Sequence, residues 1–315
     1  PCIERPNFVR LLELSVNKLL LSGVSALVNA KNQFSYPWFF GHFGASVLAA
    51  SFLLEDNNLE PDVEAAIRSA VDDIVAGDAA LFAPVSVAGA NGAVSVSVDE
   101  LLETLEQCVA VHSTTGHGVI FGTLGLKAIR KEPALLTAET VKGLTALIKD
   151  CMVDVPNRHY GIADYQSVDV DYSDMRRFDC LQDAAIHSLQ IHNRVYADQQ
   201  IGDSYYFLAG DLLHCVTYAH ALIELQAMGY ESIARSGLHM LEKHMFLSTR
   251  PYSDLRPFTT DRVLNPLSLE FWRRSATEPH HIKLAYSWLA LRELVPDEQR
   301  PSLMKDLSKY WVLYE

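Results

Sequence analysis

At 315 residues the chain can bury a large core, and 49% hydrophobic against 21% charged residues is the composition of a globular protein. A net charge of −13 offers no basic stripe to neutralise phosphates, which argues against a nucleic-acid partner. The longest apolar runs, such as Val109–Val111 and Leu284–Leu291, fall short of a bilayer span, so no membrane partner is expected.

Helical periodicity runs along most of the chain. Phe8–Val28 places Leu11, Leu12, Leu14, Val16, Leu19 and Leu20 on a broad apolar stripe. Gly44–Leu54 is small and apolar nearly all round, which predicts an interior helix. Pro61 then starts a polar-faced helix over Asp62–Ile74 with acidic residues in its first turn. Val94–Val98 is the one convincing strand candidate, a β-hairpin arm or a loop before a helix at Asp99–Ala110. Gly118–Ile129 is an apolar helix stopped at Glu132–Pro133, and Thr137 caps Ala138–Lys149. Residues 153–178 show no sustained period and read as an irregular functional loop. Helices return at Leu181–Ala197, Phe207–Met228, Glu231–Phe246 and His281–Leu294, with a break at Leu247–Thr260. No Gly/Ser-rich or like-charged linker divides the chain. The expectation is an all-α protein with a single large helical domain over residues 1–315, an α/α toroid or solenoid with apolar inner and polar outer helices.

Five cysteines, odd in number and without a CxxC pair, read as small buried hydrophobes in a reducing, cytoplasmic setting. The opening Pro-Cys-Ile-Glu-Arg-Pro shows no basic region leading into an apolar one, so no secretory signal is read there.

The twelve histidines carry most of the chemical signal. Gly41-His42-Phe43-Gly44, Gly116-His117-Gly118-Val119, Ala219-His220-Ala221-Leu222 and His280-His281-Ile282-Lys283 each lead an apolar helical run. His42, His117, His214, His220 and His280 all stand in apolar surroundings beside small residues. Neutral imidazole is a common ligand of iron, zinc and copper, so these five are the candidate metal ligands. The pairs His112/His117, His187/His192 and His239/His244 are five apart and cannot chelate one ion from an intact helix. His239 and His244, beside Glu242 and Lys243, are expected at the surface. Asp169, Asp171, Ser173 and Asp174 lack the glycine and terminal glutamate of a calcium loop. Lys283 lies in a helix that is apolar on almost every face. Either the ammonium snorkels to the helix start, or the lysine is buried near a metal, where desolvation lowers its pKa and the neutral amine can add carbon dioxide to give a carbamate, an oxygen ligand. His280, three residues earlier, shares its face. The sequence has no HExxH, GxSxG, Walker loop or Rossmann fingerprint.

These segments resemble a family. Leu213-His214-Cys215-Val216-Thr217-Tyr218-Ala219-His220-Ala221-Leu222 is similar to the His-x-Val-Thr-x-x-His-Ala-Leu segment of questin oxidase-like proteins. Pro279-His280-His281-Ile282-Lys283 is similar to their Glu-His-x-Ile-Lys segment, with Pro279 in the acidic position. The His42 and His117 segments match two earlier histidine-led helices in the same order. The resemblance implies a helical oxygenase of planar aromatic polyketides such as anthraquinones, using O2. It also implies a mononuclear non-haem Fe held by histidines and a carboxylated lysine. Lys283 would be that lysine, and the histidines would come from His42, His117, His214, His220 and His280. His214 and His220 are six apart, about 120° around a straight helix, so which four bind is left open. Trp38, Phe39, Tyr205, Tyr206 and Tyr218 are candidates to line the substrate pocket. Two other classes compete: a metal-free α/α-toroid lyase or epimerase using His and Tyr as acid and base, and a non-catalytic helical binding protein.

Overall fold

The computed structural model describes residues 16–32, 36–88, 96–153, 157–168, 173–252, 254–274 and 278–315. The protein is all-α, and among the described residues the sheet content is one two-stranded hairpin. The helices are α1 (Lys18–Ala30), α2 (Pro37–Asp56), α3 (Pro61–Gly77), α4 (Asp99–Val109), α5 (His117–Lys131) and α6 (Ala138–Cys151). They continue as α7 (Leu181–Gln190), α8 (Leu208–Ala227), α9 (Glu231–Ser248), α10 (Leu269–Arg274), α11 (Pro279–Leu291) and α12 (Arg300–Leu313). Local chemistry starts several of them. Prolines occupy the first turn of α2, α3, α11 and α12, and side chains of Asn17, Thr137 and Glu278 cap α1, α6 and α11.

Four apolar helices form an inner ring. Helix α2 packs on α5 and α11, and α8 closes the ring by packing on the same two. All four run parallel. His42 meets His117 at one end of α2 and α5, while Lys127 lies over Phe52 near the other. His214 meets His280, and a turn and a half later His220 meets Tyr286. Helices α1, α6, α7 and α9 pack outside this ring, which is the inner–outer arrangement expected from composition. Parallel packing gathers four helix N-termini at one end, where aligned peptide dipoles favour negative charge. At the opposite end Lys127 joins Glu224 (2.9 Å), Asp56 (3.6 Å) and Tyr286 Oη (2.7 Å), a cation placed where helix C-termini attract one.

Several expectations need correction. Helix α2 begins at Pro37, so His42 sits in its second turn rather than opening it, and His214 stands likewise in α8. By length and composition α2 could cross a bilayer, yet 67% of its apolar window is buried by the protein as a core helix. Residues 94 and 95 of the predicted β-arm, and residues 8–15 of the first predicted helix, lie outside the described residues; 96–98 are not a strand. The hairpin is instead β1 (Gln199–Ile201) paired antiparallel with β2 (Ser204–Tyr206) across Gly202-Asp203, with Gly202 at φ +60. The helix predicted to Ala197 ends at Gln190; beyond it, Lys309 Nζ donates to the carbonyls of His192 and Asn193 (both 3.2 Å). Asp169 and Asp171 lie outside the described residues. Cys108, Cys151 and Cys215 are buried free thiols.

Candidate metal centre

The inner ring brings His42, His117, His214 and His280 together, one from each helix. Their candidate ligand nitrogens all lie within 4.8 Å of one another, so the cluster could hold a metal ion. Each ring is anchored through Nδ1. His42 Nδ1 donates to the carbonyls of Trp38 (3.0 Å) and Phe39 (3.1 Å), His117 Nδ1 to that of Thr114, and His214 Nδ1 to that of Gly210 (2.6 Å). His280 Nδ1 donates to Glu278 Oε1 at 2.5 Å. Carbonyl and carboxylate oxygens can only accept, so all four Nδ1 atoms carry the proton and all four Nε2 atoms present lone pairs.

His42 Nε2 and His117 Nε2 face each other at 2.9 Å with no hydrogen between them in these tautomers, and His214 Nε2 has no partner among the described residues. Protonating a ring is opposed. Burial, followed by Lys283 and neighbouring imidazoles, pushes His42 and His117 well below the usual histidine value, and His214 likewise. Burial and then Lys283 also lower His280, against the pull of Glu278. Two ligands set at right angles around one ion, at about 2.1 Å from it, lie about 3 Å apart. The donor set therefore fits a transition-metal ion with imidazole preference.

Lys283 is buried beside this cluster, and its Nζ has no hydrogen-bond partner among the described residues. Burial pulls its ammonium down to about 7, with Glu278 acting weakly the other way. Glu278 itself is held at about 2: burial opposes ionisation, but the hydrogen bonds from His280 win.

His220 is not part of the cluster. Six residues along α8 turn it toward α11, where its Nδ1 meets Ser287 Oγ (3.1 Å) and its Nε2 lies 3.4 Å from Glu224.

The turn before α5 sets His117. Thr114, Thr115 and Gly116 have φ of 42°, 53° and 83°, three consecutive left-handed residues. Thr114 is tied by its N–H to Tyr165 Oη (3.0 Å) and by its hydroxyl to the Cys151 carbonyl (2.7 Å). A Cβ on Gly116 would come within 2.0 Å of the Tyr218 ring. Gly116→Ala should therefore cost about 3 kcal/mol in stability, measured by urea unfolding, with a matching fall in metal affinity as His117 shifts.

A cavity of about 180 Å³ opens onto the four imidazoles. Trp38 and Phe39 line it, together with Phe207, Tyr314 and Thr115. The other expected aromatics do not. Tyr205 is exposed and Tyr206, pointing to the opposite face of β2, packs with Tyr196 and Leu208. Tyr218 is spent on the Gly116 turn and on His244.

Two cavity residues escaped the sequence reading. His159 comes from the irregular loop, and Asp211 from the first turn of α8. His159 Nδ1 donates to Asp211 Oδ1 at 2.7 Å, and the Tyr160 N–H donates to Oδ2. Both residues are buried, and His159 Nε2 has no partner among the described residues. An aspartate within an otherwise apolar helix, three residues before His214, was the available signal.

His244, expected at the surface, is buried with its Nε2 on the Asp211 carbonyl (2.8 Å), whereas His239 is only partly covered. Burial lowers His192 and His244 to about 3. A depressed folded-state value means the unfolded chain binds the proton first, so stability is lost as pH falls below about 6.5. At pH 5 these two histidines alone should cost about 4 kcal/mol relative to pH 7, read as a drop in urea midpoint.

No protein-family model, curated protein or solved structure matches this chain.

Proposed function

We propose that the chain is a metal-dependent oxygenase, using mononuclear non-haem iron on a planar aromatic substrate, in the manner of the questin oxidase-like proteins its segments resemble. The observation that carries the reading is the convergence of four imidazoles whose Nδ1 partners fix the tautomer, with His42 and His117 Nε2 facing each other and His214 Nε2 without a donor among the described residues. A redox-active ion held there supplies the activation of dioxygen that oxygen insertion into an aromatic framework requires. The chain's own part is different. Trp38, Phe39 and Phe207 border the cavity and offer apolar ring faces to a flat ligand. Lys283, with an amine near half-neutral at pH 7, can take up carbon dioxide and provide a carbamate oxygen. That anion would offset charge among four neutral donors. A cavity of about 180 Å³ is below the roughly 300–1,000 Å³ of drug-sized sites and favours one or two rings over a three-ring quinone.

A metal-free lyase reading gains from the His159–Asp211 pair but leaves the convergence of four imidazoles, with His42 and His117 Nε2 face to face, without purpose. Oxygen uptake separates the two. Protein made with iron supplied should consume dioxygen with members of a panel of one- and two-ring hydroxyarenes, and isotopically labelled dioxygen should enter the product. Iron-loaded protein that takes up no more oxygen than the metal-free form across the panel would end the oxygenase reading.

A further inference from the structure

Of the cavity's polar groups that neither the cluster nor the carbamate employs, His159 stands out for its unpartnered ring nitrogen. His159 is 2% exposed, borders the cavity, and has its Nδ1 proton committed to Asp211. Asp211, 1% exposed, accepts from two donors, the His159 ring and the Tyr160 N–H, as a carboxylate does. The tautomer is thereby set, and His159 Nε2 is a buried acceptor with nothing to accept from. Trp38, Phe39 and Phe207 give the cavity aromatic faces, and Tyr314, held by Asp198 at 2.7 Å, borders it beside the carboxylates of Asp198, Asp211 and Glu278. A ligand that satisfies this site is a flat ring carrying an O–H donor.

We propose that the cavity binds a hydroxyarene whose hydroxyl meets His159 Nε2 and gives up its proton there, with Asp211 as the positioning residue. The O–H bond breaks, the N–H bond forms on Nε2, and the electron pair stays on oxygen as phenolate. The imidazolium is neutralised by the Asp211 carboxylate, so no oxidant or co-reactant enters. This names the substrate class of the proposed function, yet it rests on that reading only for the shared cavity, because the metal takes no part in it.

The probes are 4-nitrophenol and 4-nitroanisole, which differ by the proton. The purified protein should prefer the phenol by about tenfold, the worth of one buried hydrogen bond to a charged group. At a pH below its free pKa, bound 4-nitrophenol should show the phenolate absorption band, and should keep it after chelation of metal. His159→Phe should reduce the preference to less than about twofold with metal content unchanged. His159→Gln, which keeps the link to Asp211 and an acceptor oxygen but no base, should bind the phenol without the phenolate band. Asp211→Asn should likewise weaken the band more than the affinity. Equal preference in wild type and both His159 variants would overturn the proposal. So would a band that vanishes on chelation, since the ion and not His159 would then hold the phenolate. Metal content is read separately and fails or stands by itself.

Discussion

Replacing His214 with alanine should remove the metal-induced thermal shift of the protein, while His220→Ala, six residues along the same helix, should keep it. His214 presents an unpartnered Nε2 to the cluster, whereas His220 faces Ser287 and Glu224. An ion bound only by the folded state stabilises it by mass action, about 4 kcal/mol at a thousandfold excess over the dissociation constant. For a chain of this length that is roughly 5–10 °C in Tm. Loss of one of four imidazoles should weaken the site by at least about a hundredfold, enough to abolish the shift at the same metal concentration. Metal-free His214→Ala should also lose about 2–3 kcal/mol, since a buried side chain is truncated and the Gly210 carbonyl loses its donor. A variant pair behaving the other way round would place the site elsewhere on α8.

The second large effect concerns Lys283. In the metal-free protein its ammonium is buried among Phe121 and the four imidazoles without a hydrogen-bond partner, and burial holds it at about 7. Relative to a free lysine near 10.4 this costs roughly 4 kcal/mol at pH 7. The sign follows from proton counting. Between about pH 7 and 10 the unfolded chain keeps a proton that the folded chain has released, so stability rises with pH through that window. Lys283→Met, similar in length and apolar, should make the metal-free protein more stable at pH 7 by about 2–4 kcal/mol and flatten this rise. The same variant should lose metal affinity if the carbamate is a ligand. Gained stability with lost metal is the signature of a residue kept for function at a cost to folding. Full metal occupancy in Lys283→Met would take the lysine out of the ligand set.

Much of the framework was legible in the sequence because helices advertise themselves locally. Pro61, Thr137 and the Glu132–Pro133 stop mark boundaries that the structure keeps within a few residues. The inner helices were readable from runs such as Gly44–Leu54, apolar on every side. Helix α12 lies beyond those expectations, although Leu303, Leu307, Tyr310 and Trp311 have helical spacing and are all buried. The histidines were legible as a group, and helix rotation already set His214 and His220 on different faces. What stayed hidden depends on packing between distant segments. His159 and Asp211 are 52 residues apart and meet only because the loop after α6 folds across the start of α8. Tyr205, Tyr206 and Tyr218 are near the candidate ligands in sequence, but strand alternation and the Gly116 turn direct them elsewhere. The Gly202-Asp203 hairpin had a recognisable two-residue turn, yet strands of three residues carry too little alternation to declare themselves.

Metal analysis of the wild-type protein, purified after expression with iron supplied, tests the centre most directly. Four tautomer-fixed Nε2 donors converging in a buried site predict about one equivalent of transition metal per chain. Less than about 0.1 equivalent of any transition metal would contradict the account, because the lone pairs would then have to be satisfied by shared protons alone.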